Sequence, residues 1–407
     1  MLSSRPVKTI LFVSNLFPRP DASRNGMFNL AFAAALHARL LPYGGGVDVL
    51  VPVPEWRFWR WRQIRGWALP VEAAQACGKT LRVRYVPCFY LPLVGRSLSF
   101  LWYADAFRSV LDFASGCDVV IASWLYPDAV AASYLASRLA RPCWIRLHGS
   151  DRFHLDAPIR GWVCQRAVAQ AAGVIVNAVF MKNELVRRGI PGERIAVVPN
   201  GIDHAVFHPG DEACRDAGTI LWVGNMVSIK RPELAMRAFA GLIRMNEPNR
   251  AFLGKRLQLV LAGAGPMRRR LEHLAKCLRI DKQVTFTGSL SRQEVASWMR
   301  RAAVLLLTSR SEGMPNVVIE ALACGTPVVS TYVGDVPGIL SGNTNGYIVH
   351  DDAGDRLEHG VTDALMKALD TKWDRNAIQA SVGDHDWSRA AASVQQIIEA
   401  ADLEGKT

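Results

Sequence analysis

The sequence contains no apolar run of about 18 residues, the length that a membrane-spanning helix requires. Its N-terminus has no signal-peptide core, because residues 1–8 lead directly into an extended apolar stretch at residues 9–14. The eight cysteines are scattered and include no Cys-x-x-Cys pair. We therefore expect a cytoplasmic protein, soluble or attached to a membrane surface, whose thiols are unpaired.

Two motifs that would indicate other chemistry are incomplete. Gly263 and Gly265 form a Gly-x-Gly after a predicted strand, but a dinucleotide-binding fingerprint needs a third glycine at position 268, which is Arg268. Asp384 and Asp386 have the Asp-x-Asp form of a metal site, but they precede an amphipathic segment, and we interpret them as the cap region of a helix. The sequence therefore predicts neither a nicotinamide cofactor nor a metal ion.

The composition predicts two globular domains. The 407 residues exceed what a single core usually organises, and 50% of them are hydrophobic. Lysine and arginine outnumber the acidic residues by 48 to 36, which gives a net charge of +12. Such an excess is compatible with nucleic acid, an anionic membrane or acidic substrates, so its location along the chain matters.

The most informative stretch is residues 303–331, which reads as strand, helix and strand. Apolar runs at 304–307 and 328–331 enclose a segment with Pro315 near its start and Gly325 after its end. Those are the positions that proline and glycine favour in helices. The pattern predicts a helix at residues 315–324 between two buried parallel strands.

The loop before this helix is a predicted anion site. Unpaired backbone N–H groups at 316–318 and the helix dipole attract negative charge, and Gly313 allows a ligand to approach the backbone closely. A diphosphate therefore fits there without a metal ion. The predicted contacts are Gly313, Met314, Pro315, Asn316 and Val317.

Two carboxylates flank this anion site. Glu312 precedes the helix and Glu320 lies within it, about 7 Å or more apart along the axis at roughly 1.5 Å per residue. Carboxylates only accept hydrogen bonds, so they suit sugar hydroxyls. We interpret the pair as ligands of the ribose and the hexose of a nucleotide sugar. The alternative is that both are solvated residues of a surface helix.

Glu312-x7-Glu320, followed by Ala-Leu-Ala-Cys-Gly-Thr-Pro, resembles the signature of glycosyltransferase family 4. The resemblance implies a retaining enzyme that uses a nucleotide sugar and has the GT-B fold, in which two Rossmann-like, doubly wound α/β domains face each other across a cleft. On this basis we expect residues 1–207 to form the acceptor-side domain and residues 208–386 the nucleotide-sugar domain, with a linker at 208–218. A helix at 387–401 is expected to pack back on the first domain.

The resemblance also assigns roles outside this motif. His148, in the stretch His-Gly-Ser-Asp, corresponds to the residue that faces the donor hexose, while Gly26 and Lys230 correspond to contacts of the donor diphosphate. The family has an arginine five residues before that lysine, but this chain has Asn225. We therefore expect Lys230 and the helix N-terminus to balance more of the phosphate charge, or Arg231 to substitute. The implied catalytic residues are His148, Lys230 and Glu312, with Glu320 on the ribose.

Residues 55–67 are unlike the rest of the chain, with four tryptophans and four arginines among thirteen residues. Between residues 55 and 110 there are nine Arg or Lys and three acids, so part of the charge excess is local. Trp favours the membrane interface and Arg favours anionic headgroups. We predict that residues 56–67 contact an anionic membrane surface. The alternatives are an amphipathic segment whose aromatics pack on the domain, or a nucleic-acid site, for which no binding motif is present.

The predicted function is transfer of a hexose, with retention and without a metal ion or cofactor. The donor would be a UDP- or GDP-sugar, and the acceptor a glycan or lipid-linked acceptor in the synthesis of cell-surface polysaccharide or glycolipid. The expected location is the inner face of the membrane. The competing enzyme is a nucleotide-sugar epimerase with the same fold, and the competing non-enzyme is a basic protein that binds a membrane or nucleic acid.

Overall fold

A computed structural model describes residues 7–23, 25–78, 81–91, 97–210, 216–245, 256–350 and 356–404. The chain forms two units, one of Met1–Gly201 with Trp387–Thr407 and one of Ile202–Asp386. Each unit contains one sheet whose neighbouring strands all run parallel.

The first unit has a seven-stranded sheet with the order β3-β2-β1-β4-β5-β6-β7. Several of its strands are wholly buried and mainly apolar, as expected for a parallel sheet covered by helices on both faces. The strands are β1 (Thr9–Val13), β2 (Gly46–Pro54), β3 (Arg82–Cys88), β4 (Val119–Ser123), β5 (Cys143–Leu147), β6 (Gly173–Val176) and β7 (Ile195–Val197). The helices that connect them are α1 (Met27–Leu40), α2 (Trp61–Arg65), α3 (Val71–Ala76), α4 (Ser99–Phe107), α5 (Leu111–Ala114), α6 (Val130–Leu139), α7 (Arg152–Leu155), α8 (Pro158–Gln170) and α9 (Val179–Arg187).

The second unit has a six-stranded sheet with the order β10-β9-β8-β11-β12-β13. Its strands are β8 (Thr219–Val223), β9 (Gln258–Ala262), β10 (Val284–Gly288), β11 (Val304–Leu307), β12 (Val328–Thr331) and β13 (Gly346–Val349). Its helices are α10 (Pro232–Met245), α11 (Arg268–Cys277), α12 (Arg292–Arg301), α13 (Asn316–Ala323), α14 (Val336–Ile339), α15 (Arg356–Asp370) and α16 (Arg375–Ala380).

The last helix, α17 (Trp387–Glu404), belongs to the first unit. The Trp387 ring meets the Phe32 ring of α1 edge-on, with centroids 6.3 Å apart. Ala391 and Val394 are buried in the same core. The chain therefore returns to its first unit after completing the second.

The two sheets are doubly wound. In the first sheet, β2 and β3 lie on one side of β1, and the chain then continues with β4 on the other side. In the second sheet, β9 and β10 lie on one side of β8, and β11 follows on the other. The strand order therefore reverses between β1 and β4 and between β8 and β11. In open parallel sheets, ligands bind outside the carboxyl ends of the strands at such a switch point. Ligand sites are therefore expected at the carboxyl ends of β1, β4 and β5 in the first sheet and of β8 and β11 in the second.

The structure moves two predicted boundaries. The second unit begins at Ile202 rather than at 208, because Ile202 bridges to Asp386 and its N–H donates to the His385 carbonyl at 3.0 Å. The helix expected at 315–324 is Asn316–Ala323, because Pro315 is extended, with ψ of 106°, and serves as the N-cap. Of the expected linker, residues 211–215 lie outside the described residues.

Two strands were not predicted, and both are edge strands. β3 exposes Arg82 and Arg84 at its start, and β13 is only partly buried. A strand with one open side does not need the continuous apolar run by which the buried strands are recognised.

Among the residues that the structure describes, no helix combines the length and the apolarity needed to cross a bilayer. Seven of the eight cysteines are described, and none of these seven forms a disulfide. Cys277 is exposed and the other six are buried.

Candidate active site

The residues around the Glu-x7-Glu motif lie at the carboxyl end of β11, beside the switch point of the second sheet. Lys230, on the short 3-10 turn Ser228–Lys230, donates from Nζ to Oε1 of Glu312 at 2.5 Å. The backbone supports this arrangement, since the Arg310 N–H donates to the Ile229 carbonyl at 2.8 Å. Two of the three predicted catalytic residues therefore meet in one ion pair.

Arg231 is engaged in holding this turn. It adopts the left-handed conformation, with φ of 46°, and its Nε donates to the Thr308 carbonyl at 2.8 Å. Its Nη2 donates to the Ser309 carbonyl at 3.2 Å, and the Thr308 hydroxyl lies 2.9 Å from the Lys230 carbonyl. The guanidinium thus ties the turn that carries Lys230 to the end of β11. Its predicted role toward a phosphate stays a prediction.

The first turn of α13 uses one of its backbone donors internally. Among the described residues no side chain caps it, and its first turn contains no acid. The N–H of Val318, however, donates to the Pro315 carbonyl at 3.0 Å, so the expectation of three unpaired N–H groups at 316–318 is wrong for the third. A tight first turn uses that donor internally.

The loop before α13 is held from a neighbouring segment that the sequence did not indicate. The Gly313 carbonyl accepts from the Asp335 N–H at 2.9 Å, and a Cβ on Gly334 would lie 2.0 Å from that same oxygen. The Thr331 hydroxyl at the end of β12 donates to the Ser309 carbonyl at 2.7 Å. These contacts set the position of Gly313 and of Glu312 before it. Met314 and Pro315 are buried behind them.

Glu320 lies inside α13 and is partly buried. Burial raises its pKa to about 7, while the positive charge of Arg292 offsets a smaller part of that effect. Such a carboxyl group exists in both protonation states near neutral pH. It becomes a full hydrogen-bond acceptor when a ligand favours its ionised form.

The Gly-x-Gly of the second unit has a structural explanation. A Cβ on Gly263 would lie 1.9 Å from the Gly224 carbonyl oxygen, and one on Gly265 would lie 2.5 Å from that of Met226. The glycines therefore let the loop after β9 approach the loop after β8. This close approach explains why both positions are glycine, and the prediction of no nicotinamide cofactor remains to be tested.

In the first unit, His148 follows the end of β5 and is buried. Its Nε2 lies 3.0 Å from the Ser123 hydroxyl and 3.4 Å from Nη1 of Arg146. Burial, and secondarily the charge of Arg146, lowers the pKa of His148 well below its usual value. Its backbone N–H donates to Oδ2 of Asp151 at 2.7 Å. Burial raises the pKa of Asp151 to about 7, against the hydrogen bonds from His148 and Leu125.

Gly26 is the N-cap of α1 and has a left-handed φ of 67°. A Cβ at this position would lie 2.1 Å from the Leu16 carbonyl oxygen, so the chain's own fold requires a glycine here. The first turn of α1 also brings the Phe28 ring to 5.1 Å from the ring of His148. Gly26 and His148 thus lie at one edge of the first sheet, while their contacts with a donor remain predictions.

The sequence analysis missed the polar network next to His148. Ser123 and Arg146 contact its ring, and Asn29 and Asn200 contact Arg146. All are buried, and Arg146 is 1% exposed. A signal was present, because Arg146 is a charged residue inside the otherwise apolar run of β5. A charge at such a position needs polar partners from other elements.

Comparison with known proteins identifies both parts of the chain. Residues 64–206 match the family described as Glycosyltransferase Family 4, and residues 212–380 match Glycosyl transferases group 1. Both families consist of glycosyltransferase domains. The matches support the coarser prediction of a GT-B glycosyltransferase, and the prediction for the Glu-x7-Glu residues stays open.

The curated relatives of these glycosyltransferase domains are similar over part of their length. A D-inositol 3-phosphate glycosyltransferase of Kribbella flavida is 32% identical over 218 residues, which are 49% of this chain and 50% of that protein. The one of Catenulispora acidiphila is 32% identical over 251 residues, 57% of each chain. The matches thus span about half the length of these relatives.

Solved glycosyltransferase structures match nearly the whole chain. Anabaena HepE with UDP and glucose superimposes with a TM-score of 0.72 at 15% identity, over 97% of this chain and 100% of that one. Sucrose-phosphate synthase of Thermosynechococcus elongatus gives 0.70 at 19% identity, over 98% and 100%. At these identities the likeness shows the fold, which is the predicted GT-B fold.

The Trp- and Arg-rich segment at residues 55–67 of the first unit has an exposed N-terminal part and a C-terminal part that packs on the domain. Ile64 is buried and Trp67 packs against the core, as the amphipathic alternative expected. Trp56, Phe58 and Trp59 are 51%, 61% and 72% exposed. One part of the segment therefore anchors it to the domain, and the other part presents aromatic rings outward.

The charges of this segment divide as well. Glu55 is buried, and its carboxylate accepts from Nε of Arg57 at 2.8 Å and from Nη1 of Arg60 at 2.8 Å. The hydrogen bond from Arg57, aided by the charge of Arg60, lowers the pKa of Glu55 to about 2. Arg62 and Arg65 are exposed. Two of the four arginines thus share one carboxylate, and the other two are exposed.

Among the described residues no three His, Cys, Asp or Glu side chains come together as a metal site would require. Asp386 directly precedes α17, as predicted for a cap region. The prediction that the reaction needs no metal remains to be tested.

Proposed function

We propose that this protein is a retaining, metal-independent glycosyltransferase that moves a hexose from a UDP- or GDP-sugar to a glycan or lipid-linked acceptor. The observation that carries the proposal is the ion pair of Lys230 and Glu312 at the switch point of the second sheet, beside the N-terminus of α13. A cation and helix N–H groups suit a diphosphate, and a carboxylate suits a sugar hydroxyl. The HepE structure of similar fold contains UDP and glucose, which supports testing UDP-glucose first.

The proposed roles follow the charges that develop in the reaction. Negative charge grows on the leaving diphosphate, where Lys230 and the N–H groups of Asn316 and Val317 would stabilise it. Glu312 would accept from the hexose and Glu320 from the ribose. Covalent catalysis needs a carboxylate on the reacting face of the sugar, and neither glutamate is clearly placed for this. The leaving phosphate would then take the proton of the acceptor.

A phosphorylated polyol is a second acceptor to test. Several relatives, 30–34% identical over about half their length, are D-inositol 3-phosphate glycosyltransferases. Their matched segments support trying inositol phosphate beside glycan and lipid-linked acceptors.

The test is incubation with a panel of UDP- and GDP-sugars, with and without acceptor and with EDTA throughout. Transfer or slow hydrolysis of one donor, with the anomeric configuration retained, supports the proposal. An epimerised donor would favour the epimerase. Turnover that EDTA abolishes would contradict the metal-independent mechanism. No turnover and no nucleotide binding would leave the non-catalytic alternative.

We also propose that the first domain attaches to an anionic membrane surface through Trp56, Phe58, Trp59, Arg62 and Arg65. The three rings are exposed without filling the core, and the two arginines are exposed on the same segment. Each Arg near an anionic surface contributes about 1 kcal/mol, and Trp favours the headgroup region. The membrane contact is thus supported by two exposed arginines instead of the four in the sequence, together with three exposed aromatic rings.

Sedimentation with vesicles tests this contact. The parent should bind phosphatidylcholine vesicles that contain phosphatidylglycerol more strongly than pure phosphatidylcholine vesicles. The double variant Arg62→Gln/Arg65→Gln should lose most of that difference. The matched control Arg138→Gln/Arg141→Gln removes two exposed arginines from and beside α6 and should bind like the parent. The proposal would be contradicted if the parent bound both vesicle types equally. It would also be contradicted if both double variants lost the preference for anionic vesicles to the same extent.

A further inference from the structure

A chain of buried polar groups joins the ends of β1, β4 and β5 to helix α1. Asn29, in the first turn of α1, donates from Nδ2 to the Leu16 carbonyl at 2.9 Å and to the Ser14 hydroxyl at 3.1 Å. Its Oδ1 lies 2.9 Å from the Ser123 hydroxyl and 3.2 Å from Nη1 of Arg146. The Ser123 hydroxyl reaches Nε2 of His148 at 3.0 Å.

The hydrogen-bond roles in this chain can be assigned from its fixed members. A backbone carbonyl only accepts, so the Leu16 carbonyl determines which end of the Asn29 amide is Nδ2. Oδ1 then faces Ser123 and Arg146, and it too can only accept. Because Ser123 has a single proton and gives it to Oδ1, its oxygen can only accept from His148. The hydrogen on this contact must therefore belong to Nε2.

We infer that Asn29, Ser123 and Arg146 are positioning residues that hold His148 as a neutral imidazole with the proton on Nε2 and an unprotonated Nδ1. The charge of Arg146 disfavours an imidazolium, because Nη1 lies only 3.4 Å from Nε2. Since both nitrogens then carry hydrogen, this contact is not a hydrogen bond, and Nη1 donates to Oδ1 of Asn29 instead. Arg146 itself is bound by neutral groups, donating from Nη2 to Oδ1 of Asn200 at 2.7 Å and lying 4.5 Å over the Phe32 ring. Its positive charge thus acts undiminished on its neighbour.

The other groups that face His148 do not reverse this effect. The rings of Phe28 and Trp124 are uncharged, at 5.1 and 5.9 Å between centroids. Asp151 accepts the backbone N–H of His148 with Oδ2 and that of Leu125 with Oδ1, at 2.7 and 3.1 Å. Its carboxyl group is therefore used on the backbone, and burial favours its neutral form.

The chemical consequence limits what His148 can do. A neutral imidazole whose Nε2–H is given to Ser123 has no proton to release at Nδ1. The His148 side chain also accepts from the backbone N–H of Asp151 in a capping box, which requires an unprotonated ring nitrogen. This deepens the proposed function and rests on it: toward a donor hexose, His148 would not act as a general acid.

Nuclear magnetic resonance of ¹⁵N-histidine-labelled protein tests the inference directly. At pH 7 the His148 ring should show a protonated Nε2 and an unprotonated Nδ1. The ring is assigned among the nine histidines by its loss in His148→Gln, or by its nuclear Overhauser contact with Phe28 if that variant does not fold. A proton on Nδ1, or on both nitrogens, would overturn the inference, and the spectrum of the parent protein is sufficient to show it.

A pair of serine variants tests the chain of hydrogen bonds. Ser123→Ala removes the acceptor of the Nε2–H and should convert the single tautomer into a mixture. Ser133→Ala removes a hydroxyl that donates to the Ala129 carbonyl at 2.8 Å on α6 and should leave the tautomer unchanged. An unaltered tautomer in Ser123→Ala would show that the assigned chain does not hold His148.

The pH dependence of kcat distinguishes failure of this inference from failure of the proposed function. An enzyme with donor turnover should show no loss of kcat through protonation of His148 between pH 5.5 and 8. An acidic limb near pH 6.5 that disappears in His148→Gln would contradict the inference while leaving glycosyl transfer established. Absence of turnover with every donor would count against the proposed function only, because the tautomer is measured without substrate.

Discussion

At the scale of single residues, Lys230 and Glu312 balance each other's charge before any ligand is bound. A diphosphate would take over part of the contact of Lys230, and Glu312 would then be free to accept from a sugar hydroxyl. No arginine stands at position 225, and Arg231 is bound to two backbone carbonyls. If Lys230 binds the diphosphate as proposed, it would supply a larger share of the positive charge than one of two cations would.

Lys230→Ala should consequently reduce donor turnover by about 10²-fold or more, since a charge-stabilising donor is lost at the leaving group. Glu312→Gln should reduce donor turnover less than Lys230→Ala does, because Lys230 still stabilises the diphosphate. Asn225→Arg should be tolerated. The measurement is kcat and KM for the active donor. Near-normal turnover in Lys230→Ala would show that the phosphate lies elsewhere, and Arg231 would be examined next.

Glu320 predicts a pH dependence of nucleotide binding. Its pKa is raised to about 7 by burial, and ribose hydroxyls would favour the ionised carboxylate. Binding below about pH 7 then requires release of a proton, so nucleotide affinity should rise with pH through 7 and level off above it. Glu320→Gln should weaken binding by about 1–3 kcal/mol and flatten this dependence.

Calorimetry with UDP and GDP between pH 6 and 8.5, in two buffers of different ionisation enthalpy, measures both the affinity and the proton release. Glu272→Gln, on α11, is the control and should behave like the parent. If Glu320→Gln kept the parent's affinity and proton release, Glu320 would not belong to the nucleotide site.

At the scale of elements, the loop before α13 depends on the segment after β12. Gly334 has a φ of 52°, and a Cβ there would meet the Gly313 carbonyl oxygen at 2.0 Å. Gly334→Ala should therefore displace the loop that carries Glu312 and weaken nucleotide binding by about tenfold or more, through a clash with backbone that cannot rotate away. The measurement is the UDP or GDP dissociation constant, with circular dichroism to check folding.

Gly288→Ala is the matched control for backbone strain. Gly288 has a similar positive φ of 75°, but a Cβ there would meet nothing within 4 Å. Its alanine variant should lose some stability and keep nucleotide affinity. Equal loss of affinity in both variants would mean that positive φ, rather than the contact with Gly313, explains the effect.

At the scale of the whole molecule, the free energy of unfolding should depend on buried carboxyl groups in the unusual direction. Asp151 is fully buried, and its pKa is raised from 3.8 to about 7. Between those two values the unfolded chain is ionised while the folded chain keeps the proton, so the group's contribution to stability falls as pH rises. The loss reaches at most about 1.4 kcal/mol per pH unit.

Denaturant unfolding of the parent and of Asp151→Asn from pH 4 to 8 tests this sign. The parent should lose stability relative to Asp151→Asn as pH rises toward 7, and the difference should become constant above it. The absolute stability of the variant is not the readout, because asparagine cannot accept both backbone N–H groups equally. Parallel pH profiles for the two proteins would contradict the raised pKa.

Most of the fold could be predicted from the sequence because buried parallel strands and their helices leave local patterns. The apolar runs at 304–307 and 328–331, and the Pro and Gly at the ends of the helix between them, report structure within a few residues. The edge strands β3 and β13 were missed because their open side removes the apolar run. The unit boundary at Ile202 was missed because it depends on a bridge to Asp386, 184 positions along the chain.

Local patterns in the sequence were enough to predict the two-domain GT-B fold and a glycosyltransferase, and they supplied the residue types proposed for the site. Which of these residues meet depends on the tertiary structure: Lys230 with Glu312, Arg231 with carbonyls at the end of β11, and two of the four Trp-segment arginines with Glu55. It also decided the state of His148, whose neighbours come from α1, β4 and β5. Charge, burial and hydrogen-bond roles depend on distances between segments remote in sequence, and no local pattern of residues contains those distances.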